Sequence, residues 1–453
     1  MRLQMERIAF LIIPDWQNNG RTQNQSFDGV GNTGAYVIIH QLRRAGIDVG
    51  FCTIDTADEF DVVCISVTSY MDILSLCKEL RFNKKWRRGV RKFRTICGGA
   101  GLKNPFPLLE YVDRFWFGRC DTEAVQWVTD KDYQHPSIMD WDNPRECVVN
   151  QATCLFPEEV QTGKELWREK FIGCPNKCGF CFYSWTHRNI QQGEHYMLQV
   201  NPLQMEIDLQ NWNLLNRETI VPRVTVGVDG SSGRIRCAIN KKITDEALLE
   251  LILRHNRAVF DKVGGNEKAY TLQLYNITGY ETECHEDYSR LYEVLRTAAK
   301  EAKGRVICKI HSTPLSPEPL TPLAWSAAPL RTPFGALRGQ SIVQTPKFEA
   351  FHNKFNTSDW QQFTQLVLIR YSEKYATLLD NILFNPKLKS LKTAEKLSFI
   401  ENHFDIGDLL RAYDTEERLP HWPMAYAFTH IEKLKNIRKS IKRRLYAQET
   451  QRK

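Results

Sequence analysis

Apolar residues in the first 130 positions follow two alternating patterns. Short apolar blocks at Ile8 to Ile13, Asp48 to Ile54, Asp61 to Val67, Thr95 to Gly99 and Arg114 to Gly118 have the length and β-branched content of buried strands. Between them, Gly34 to Ala45, stopped by Gly46, and Tyr70 to Leu80 repeat their apolar positions at helical spacing. Strands alternating with helices predict an α/β fold whose first part, residues 1–130, is a doubly wound parallel sheet with ligand space at the carboxyl ends of its strands. The pair Gly98-Gly99, just after one such block, predicts close approach of backbone to a ligand.

Residues 131–164 are polar with several prolines and are expected to form a connector. Residues 165–345 return to strand blocks: Glu169 to Ile172, Pro222 to Asp229, Tyr270 to Ile277 and a late one in Lys309-Ile-His-Ser-Thr-Pro314. Two of these run straight into small and polar residues, Gly230-Ser-Ser-Gly-Arg-Ile-Arg236 and Thr278-Gly-Tyr-Glu-Thr-Glu283, where a ligand is expected. From Pro346 to Lys453 the pattern is helical, ending in an apolar stripe of Ile431, Leu434, Ile437, Ile441 and Leu445.

No stretch of the 453 residues approaches the roughly 20 apolar positions of a membrane span. The run Ile8 to Ile13 ends at Pro14-Asp15 with no small-residue cleavage site behind it. The expectation is a cytoplasmic protein without membrane contact, in a host cytoplasm if the chain is phage-encoded. Thirteen dispersed cysteines fit a reducing compartment, with Cys52, Cys64, Cys77, Cys97 and Cys308 in apolar, core-like surroundings. The net charge of +8 is uneven. Arg81 to Arg94 packs eight cations and three aromatics into fourteen residues without an acid, and the tail from Ile431 is also basic. Both segments are candidates to track nucleic-acid phosphates, with Phe82, Trp86 and Phe93 for stacking. The alternative is a solvated helix face and a capping helix.

The most specific chemistry lies in Gly173-Cys-Pro-Asn-Lys-Cys-Gly-Phe-Cys-Phe-Tyr183. Cys174, Cys178 and Cys181 have the C-x3-C-x2-C spacing that binds three irons of a [4Fe-4S] cluster and leaves the fourth iron open to an outside molecule. Structural zinc instead wants four ligands, and His187 is the available fourth. On this loop, with Phe180 just before the last cysteine, the chain resembles the radical S-adenosylmethionine (SAM) superfamily. The resemblance implies a partial (β/α)6 barrel over residues 165–345, whose first strand delivers the cysteine loop. It also implies SAM chelated at the open iron and one electron from a flavodoxin- or ferredoxin-type donor. The products are methionine and a 5′-deoxyadenosyl radical that abstracts hydrogen from a substrate carbon.

For SAM, the resemblance points to Phe180 and Phe182 beside adenine. It places Ser231, Ser232, Arg234 and Arg236, similar to a D-G-x-S-x-R-x-R run, at the carboxylate or ribose. Asn276 to Gly279 resembles the adenine motif of the fifth strand, although Tyr275 stands where glycine is usual. The G-G-E motif for the methionine amine is absent, with Gly193-Glu194 its nearest remnant. His187 and His311 are the candidates for a direct catalytic role. The N-terminal order Ser66-Val-Thr68, Cys97-Gly-Gly99, Asn104-Pro105 and Gly118-Arg-Cys-Asp-Thr-Glu123 resembles the cobalamin-binding-type domain that precedes many of these enzymes. The D-x-H-x-x-G motif that supplies the cobalt ligand is missing, since no Asp-x-His occurs in the first 150 residues.

Two activities follow from this resemblance. The first is isomerisation of a modified nucleotide in phage DNA, such as glycinylthymidine in thymidine hypermodification, held through Arg81 to Arg94 and the basic tail. The second is a cobalamin-dependent methyltransferase acting on a small metabolite or peptide. A non-catalytic iron-sulfur or zinc protein that binds nucleic acid is the reading from a different class.

Overall fold

The computed structural model describes residues 6–13, 33–162, 165–169, 171–174, 176–191, 223–263, 270–331, 339–353, 359–414, 417, 419, 424–425 and 431–447. The remnant Gly193-Glu194 lies outside them. The N-terminal part contains β1 (Ile8–Leu11), α1 (Thr33–Arg44), β2 (Val49–Cys52), β3 (Val62–Ser66), α2 (Tyr70–Leu80), β4 (Arg94–Gly98), β5 (Arg114–Trp116), α3 (Ala124–Thr129) and β6 (Ile138–Asp140). The sheet order is β2-β1-β3-β4-β5-β6, and all neighbours are parallel except β5 and β6. This is the doubly wound order, with the chain reversing its direction of growth between β1 and β3. The antiparallel edge strand β6 falls in the expected connector and corrects its boundary.

Alternation along each strand explains why helices cover both faces. Ile8, Phe10, Cys64, Ile96 and Trp116 pack on one side with Ile39, Leu42 and Trp127 from α1 and α3. Ala9, Leu11, Ile65, Cys97 and Phe115 pack on the other with Ile73, Leu74 and Cys77 of α2. Helix α2 begins where Asp72 accepts hydrogen bonds from the backbone of Thr68 and Ser69 at 2.7 and 2.9 Å, which closes the turn after β3.

Short ribbons follow: β7 (Cys147–Val148), β8 (Glu159–Thr162) against β9 (Glu165–Arg168), and β10 (Phe171–Ile172) against β11 (Ile190–Gln191), with α4 (Phe182–Thr186) between the last two. Among the described residues, the strand leading into the cysteine loop pairs antiparallel with the segment leaving it. The central sheet is formed by β12 (Arg223–Gly227), β13 (Tyr270–Thr278), β14 (Val306–Pro314), β15 (Ser341–Gln344) and β16 (Phe348–His352), ordered β12-β13-β14-β16-β15. Its first four members in that order are parallel and β15 is antiparallel. Between these strands lie α5 (Gly233–Ala238), α6 (Asp245–Val263) and α7 (His285–Glu301). Leu272, Leu274, Cys308 and Ile310 pack under α6 and α7 against Leu248, Ile252, Leu291 and Leu295. The opposite face of β13 and β14 carries Tyr275 stacked on its register partner His311, with ring centroids 4.7 Å apart. Because β16 belongs to this sheet, the central unit runs past the expected boundary at 345.

The C-terminal helices α8 (Asp359–Ile369), α9 (Ala376–Phe384), α10 (Pro386–Ser390), α11 (Thr393–His403) and α12 (Gly407–Leu410) share a core around Phe363, Leu378, Ile382, Leu397 and Ile400. Leu368, Ile369, Leu379 and Leu383 also enter the core beneath α2. A two-residue strand, β17 (Met424–Ala425), pairs with β7, and α13 (Ile431–Tyr446) closes the chain. Among the described residues no helix is long and apolar enough to cross a membrane.

Candidate functional site

The cysteine loop is held by its own backbone. Gly173 adopts φ +75°, and a Cβ there would lie 2.2 Å from the carbonyl oxygen of Arg188, so only glycine lets the loop turn against the returning strand. The Gly179 amide donates to Ile239 O at 2.8 Å, Leu323 N donates to Gly179 O at 3.0 Å, and Asn240 Nδ2 donates to Asn176 O at 2.6 Å. Trp185 Nε1 donates to Cys178 O at 2.8 Å, fixing α4 to the loop. Cys174 and Cys178 are buried and Cys181 is partly exposed. Burial pushes the Cys178 thiol up to about 12, while the neighbouring Lys241 ammonium opposes that shift. Lys241 is itself buried against Asp229, at 2.7 Å.

Among the described residues no three His, Cys, Asp or Glu side chains converge on one point as a single metal ion requires. The three thiols of the loop are nevertheless near enough for their charges to act on one another. A four-iron cluster places each thiolate on a different iron, so three sulfurs spread along one short loop suit it better than they suit zinc. His187 does not complete a zinc set. Its Nδ1 lies 3.1 Å from both Tyr183 O and Thr186 Oγ1, and its ring tilts on Tyr183 at 4.3 Å. Burial lowers its pKa to about 4, so the ring is neutral.

Cys181 opens on a cavity of about 400 Å³ whose wall joins four parts of the molecule, Gln362 and Gln365 of α8 among them. Phe180, Phe182 and Tyr183 come from the cysteine loop and α4, Ile277 and Thr313 from the central sheet, and Lys103 from the N-terminal sheet. Glu318 also lies in this wall, and it accepts hydrogen bonds from Lys103 Nζ at 2.7 Å and Tyr70 Oη at 2.6 Å. The Lys103 ammonium lies over the Phe182 ring at 5.0 Å. Tyr70, Lys103 and Glu318 were not singled out from the sequence. They are far apart in the chain and carry no local motif.

The residues expected at SAM divide into two groups. At the end of β13, Asn276 Nδ2 donates to Ser231 Oγ at 3.0 Å, while Asn276 Oδ1 is buried with no hydrogen-bond partner among the described residues. Glu283 lies beyond the same strand end, where it accepts from Gly279 N at 2.5 Å and burial pushes its carboxyl up to about 7. A buried acceptor without a donor suits a ligand amine or amide. Ser232, Arg234 and Arg236 are instead occupied by the protein. Ser232 caps α5 and donates to Asp287 at 2.6 Å. Arg234 binds Asp287 and Leu445 O. The wholly buried Arg236 binds Asp245, Ile243 O and Gly230 O. These three hold the turn after β12 and present no free donor to a carboxylate. Gly279, at φ +86°, makes room for Pro329, which a Cβ would meet at 2.3 Å. His311 faces Tyr275 and Asn353, whose Nδ2 lies 3.0 Å from its Nδ1, and it is not part of the Cys181 cavity.

A second cavity, of about 280 Å³, lies at the carboxyl edge of the N-terminal sheet and reaches Phe182, Tyr183 and His187 of the cysteine region. Gly99 and Gly118 in its wall are crowded by backbone, whereas a Cβ on Gly98 would meet nothing nearer than 3.5 Å. A Cβ on Gly99 would strike Val67 O and one on Gly118 would strike Asn150 O, each at 2.2 Å, so both serve the chain's own backbone. The volume is at the lower end of the roughly 300–1,000 Å³ that pockets for drug-sized ligands span.

The Arg81 to Arg94 segment buries two of its three aromatics and ties most of its cations into the fold, so it does not present the expected stacking surface, although Lys84, Arg87 and Lys92 are exposed. Trp86 and Phe93 are buried and pack edge to face at 5.0 Å, and Phe82, although 70% exposed, meets Phe384 at 4.7 Å. Arg91 pairs with Asp113, Arg81 with Asp380, Lys85 with Asp58 and Arg94 with Glu6, while Arg88 binds Leu109 O and Val112 O. The sequence pattern resembles an open basic strip because its acids come from distant parts of the chain.

No protein-family model and no curated protein sequence matches the chain. Among solved structures it is similar to the cobalamin-dependent S-adenosylmethionine radical enzyme OxsB. For the apo, selenomethionine-labelled form the identity is 12% and the TM-score 0.27, with 93% of this chain and 60% of that one covered. For the form with aqua-cobalamin bound, the identity is 12% and the TM-score 0.27, with 97% and 56% covered. The chain thus spans less than two thirds of the length of those proteins.

Proposed function

We propose that this protein is a radical SAM enzyme. The observation that carries this reading is the loop of Cys174, Cys178 and Cys181, closed by Gly173 and set beside a cavity that also touches the end of a parallel sheet. When bound there, the [4Fe-4S] cluster supplies one-electron cleavage of SAM. The chain's own residues do the rest. Asn276 and Ser231 offer polar contacts at the β13 end for SAM, Phe180 and Phe182 supply apolar and aromatic wall, and Lys103, Tyr70 and Glu318 fix the polar end of a substrate. Four parts of the chain meet at this cavity.

The finer reading is hydrogen abstraction followed by rearrangement of a modified nucleotide, such as glycinylthymidine in phage DNA. It is supported by the cavity of about 400 Å³ beside Cys181. A base in a duplex must be turned out of its stack to enter, at a cost of a few kcal/mol. The methyltransferase alternative requires cobalamin, and no step is derived through that group.

The test is 5′-deoxyadenosine release from the anaerobically reconstituted protein with SAM and dithionite, beside Cys178→Ala and with or without modified DNA. Release that depends on Cys178 supports the enzyme, and stimulation by modified DNA supports the isomerase. A protein with an intact cluster that releases none overturns the reading. Cobalamin retained after reconstitution overturns the corrinoid-free form and favours the methyltransferase.

A further inference from the structure

Helix α13 carries seven cations and a single acid, Glu432. Its buried face holds Leu434, Arg438, Ile441 and Leu445. That face lies on the cysteine loop and the turn after β12. A Cβ on Gly179 would be 2.8 Å from Ile441 Cδ1, Arg234 Nη1 and Thr282 Oγ1 donate to Leu445 O at 2.9 and 3.0 Å, and Arg438 pairs with Glu281. The opposite face exposes Lys433, Lys439, Lys442, Arg443 and Arg444. Glu432 is paired with Lys435 at 3.2 Å and so does not offset them. No residue of α13 lines the cavity beside Cys181.

A basic face backed directly by the cysteine loop, on a side of it that the cavity does not use, has the right position for an electron partner and the wrong one for a nucleic-acid substrate. We propose that the exposed face of α13 docks an acidic flavoprotein carrying reduced flavin. This inference rests on the radical SAM reading, since it presumes an iron-sulfur centre on Cys174, Cys178 and Cys181. One electron leaves the anionic flavin hydroquinone, giving the neutral semiquinone, and reduces the centre from the 2+ to the 1+ state with no proton moved. A partner seated on the helix lies about 10 Å from the loop, the thickness of one helix with its side chains. Opposed charges steer such encounters and make their rate fall with salt.

The experiment follows bleaching of the iron-sulfur absorption in the reconstituted full chain mixed with flavodoxin hydroquinone, at low and high ionic strength. In Lys433→Glu/Lys439→Glu/Lys442→Glu/Arg443→Glu the low-salt rate should fall about 10-fold or more and lose its salt dependence. Lys84→Glu/Arg87→Glu/Lys92→Glu, charge reversals elsewhere on the surface, should react like the parent. Dithionite, which needs no docking, should bleach all three alike. The milder Lys442→Gln/Arg443→Gln replaces the first variant if dithionite shows that variant to be damaged. Equal flavodoxin rates overturn the docking surface, and equal rates with lost DNA binding assign the face to nucleic acid instead. Failure to assemble a centre, read separately as iron and sulfide content, overturns the reading of the cysteines together with this one.

Discussion

Ile441, near the end of the last helix, lies against Gly179, between the second and third cysteines of the loop, so that any side chain at 179 would meet its Cδ1 at 2.8 Å. The loop is therefore shaped from outside as well as from within. Gly179→Ala should destabilise the protein by about 1–3 kcal/mol, because the obstructing atom is the movable end of a side chain. Adding Ile441→Val, which removes that end, should recover a good part of the loss, measured as a double-mutant cycle by chemical denaturation. Full additivity would show that the contact has no energetic weight.

Gly173→Ala is expected to be far worse. The obstructing atom is the Arg188 carbonyl oxygen at 2.2 Å, and φ is +75°. A backbone carbonyl two residues before a paired strand moves far less readily than the end of a side chain. The expected result is a folded N-terminal sheet with no iron incorporated, read by circular dichroism and metal content.

Arg236 separates a structural role from a ligand role. Its three groups of partners are all internal and the residue is wholly buried. Arg236→Met should cost on the order of 3 kcal/mol, as removing one partner of a buried pair does. If the variant kept its stability and lost SAM affinity alone, Arg236 would be a SAM contact after all.

Arg91 makes the same point for the basic segment. Its side chain is 3% exposed and pairs with Asp113. Arg91→Met should lower the unfolding midpoint and leave the salt slope of any DNA binding unchanged.

The pH dependence of stability has a defined sign at His352, which is 1% exposed and whose Nε2 lies 2.9 Å from Tyr292 Oη. Burial lowers its pKa from 6.5 to about 4. Between those values the unfolded chain binds the proton and the folded chain does not, so stability is complete above pH 6.5 and falls as the pH drops toward 4. The loss should be roughly 1–3 kcal/mol across that window. His352→Gln should remove this portion of the slope in unfolding measured at several pH values.

Much of the N-terminal sheet was legible from the chain, because a buried parallel strand is an uninterrupted apolar block and a covering helix repeats at its own period. The expected blocks at 8–13, 48–54, 61–67 and 114–118 contain the observed strands, trimmed by one or two residues at their ends, and β4 starts one residue before the block at 95–99. The cysteine loop was legible for a related reason: its ligand spacing is local. Partnerships across the chain were not. Asn104, read as part of a ligand-binding pattern, donates to the carbonyls of Leu368 and Tyr371 at 3.0 and 3.1 Å and so anchors the end of α8. The eight cations of Arg81 to Arg94 read as an exposed strip because Asp58, Asp113 and Asp380 lie far away in sequence.

The sequence by itself determined the elements whose cause is local: apolar periodicity, the glycine that lets Gly173 turn, and three thiols on one short loop. Only the tertiary structure decided which charges face water and which residues share a cavity. Arg236 and Lys442 each follow an isoleucine and have other cations nearby in the chain, yet one is enclosed by Asp245 and two carbonyls while the other lies on an exposed helix face above the cysteine loop. The physical reason is that burial and ion pairing depend on what folds back from distant positions. Neither composition nor spacing encodes that return path.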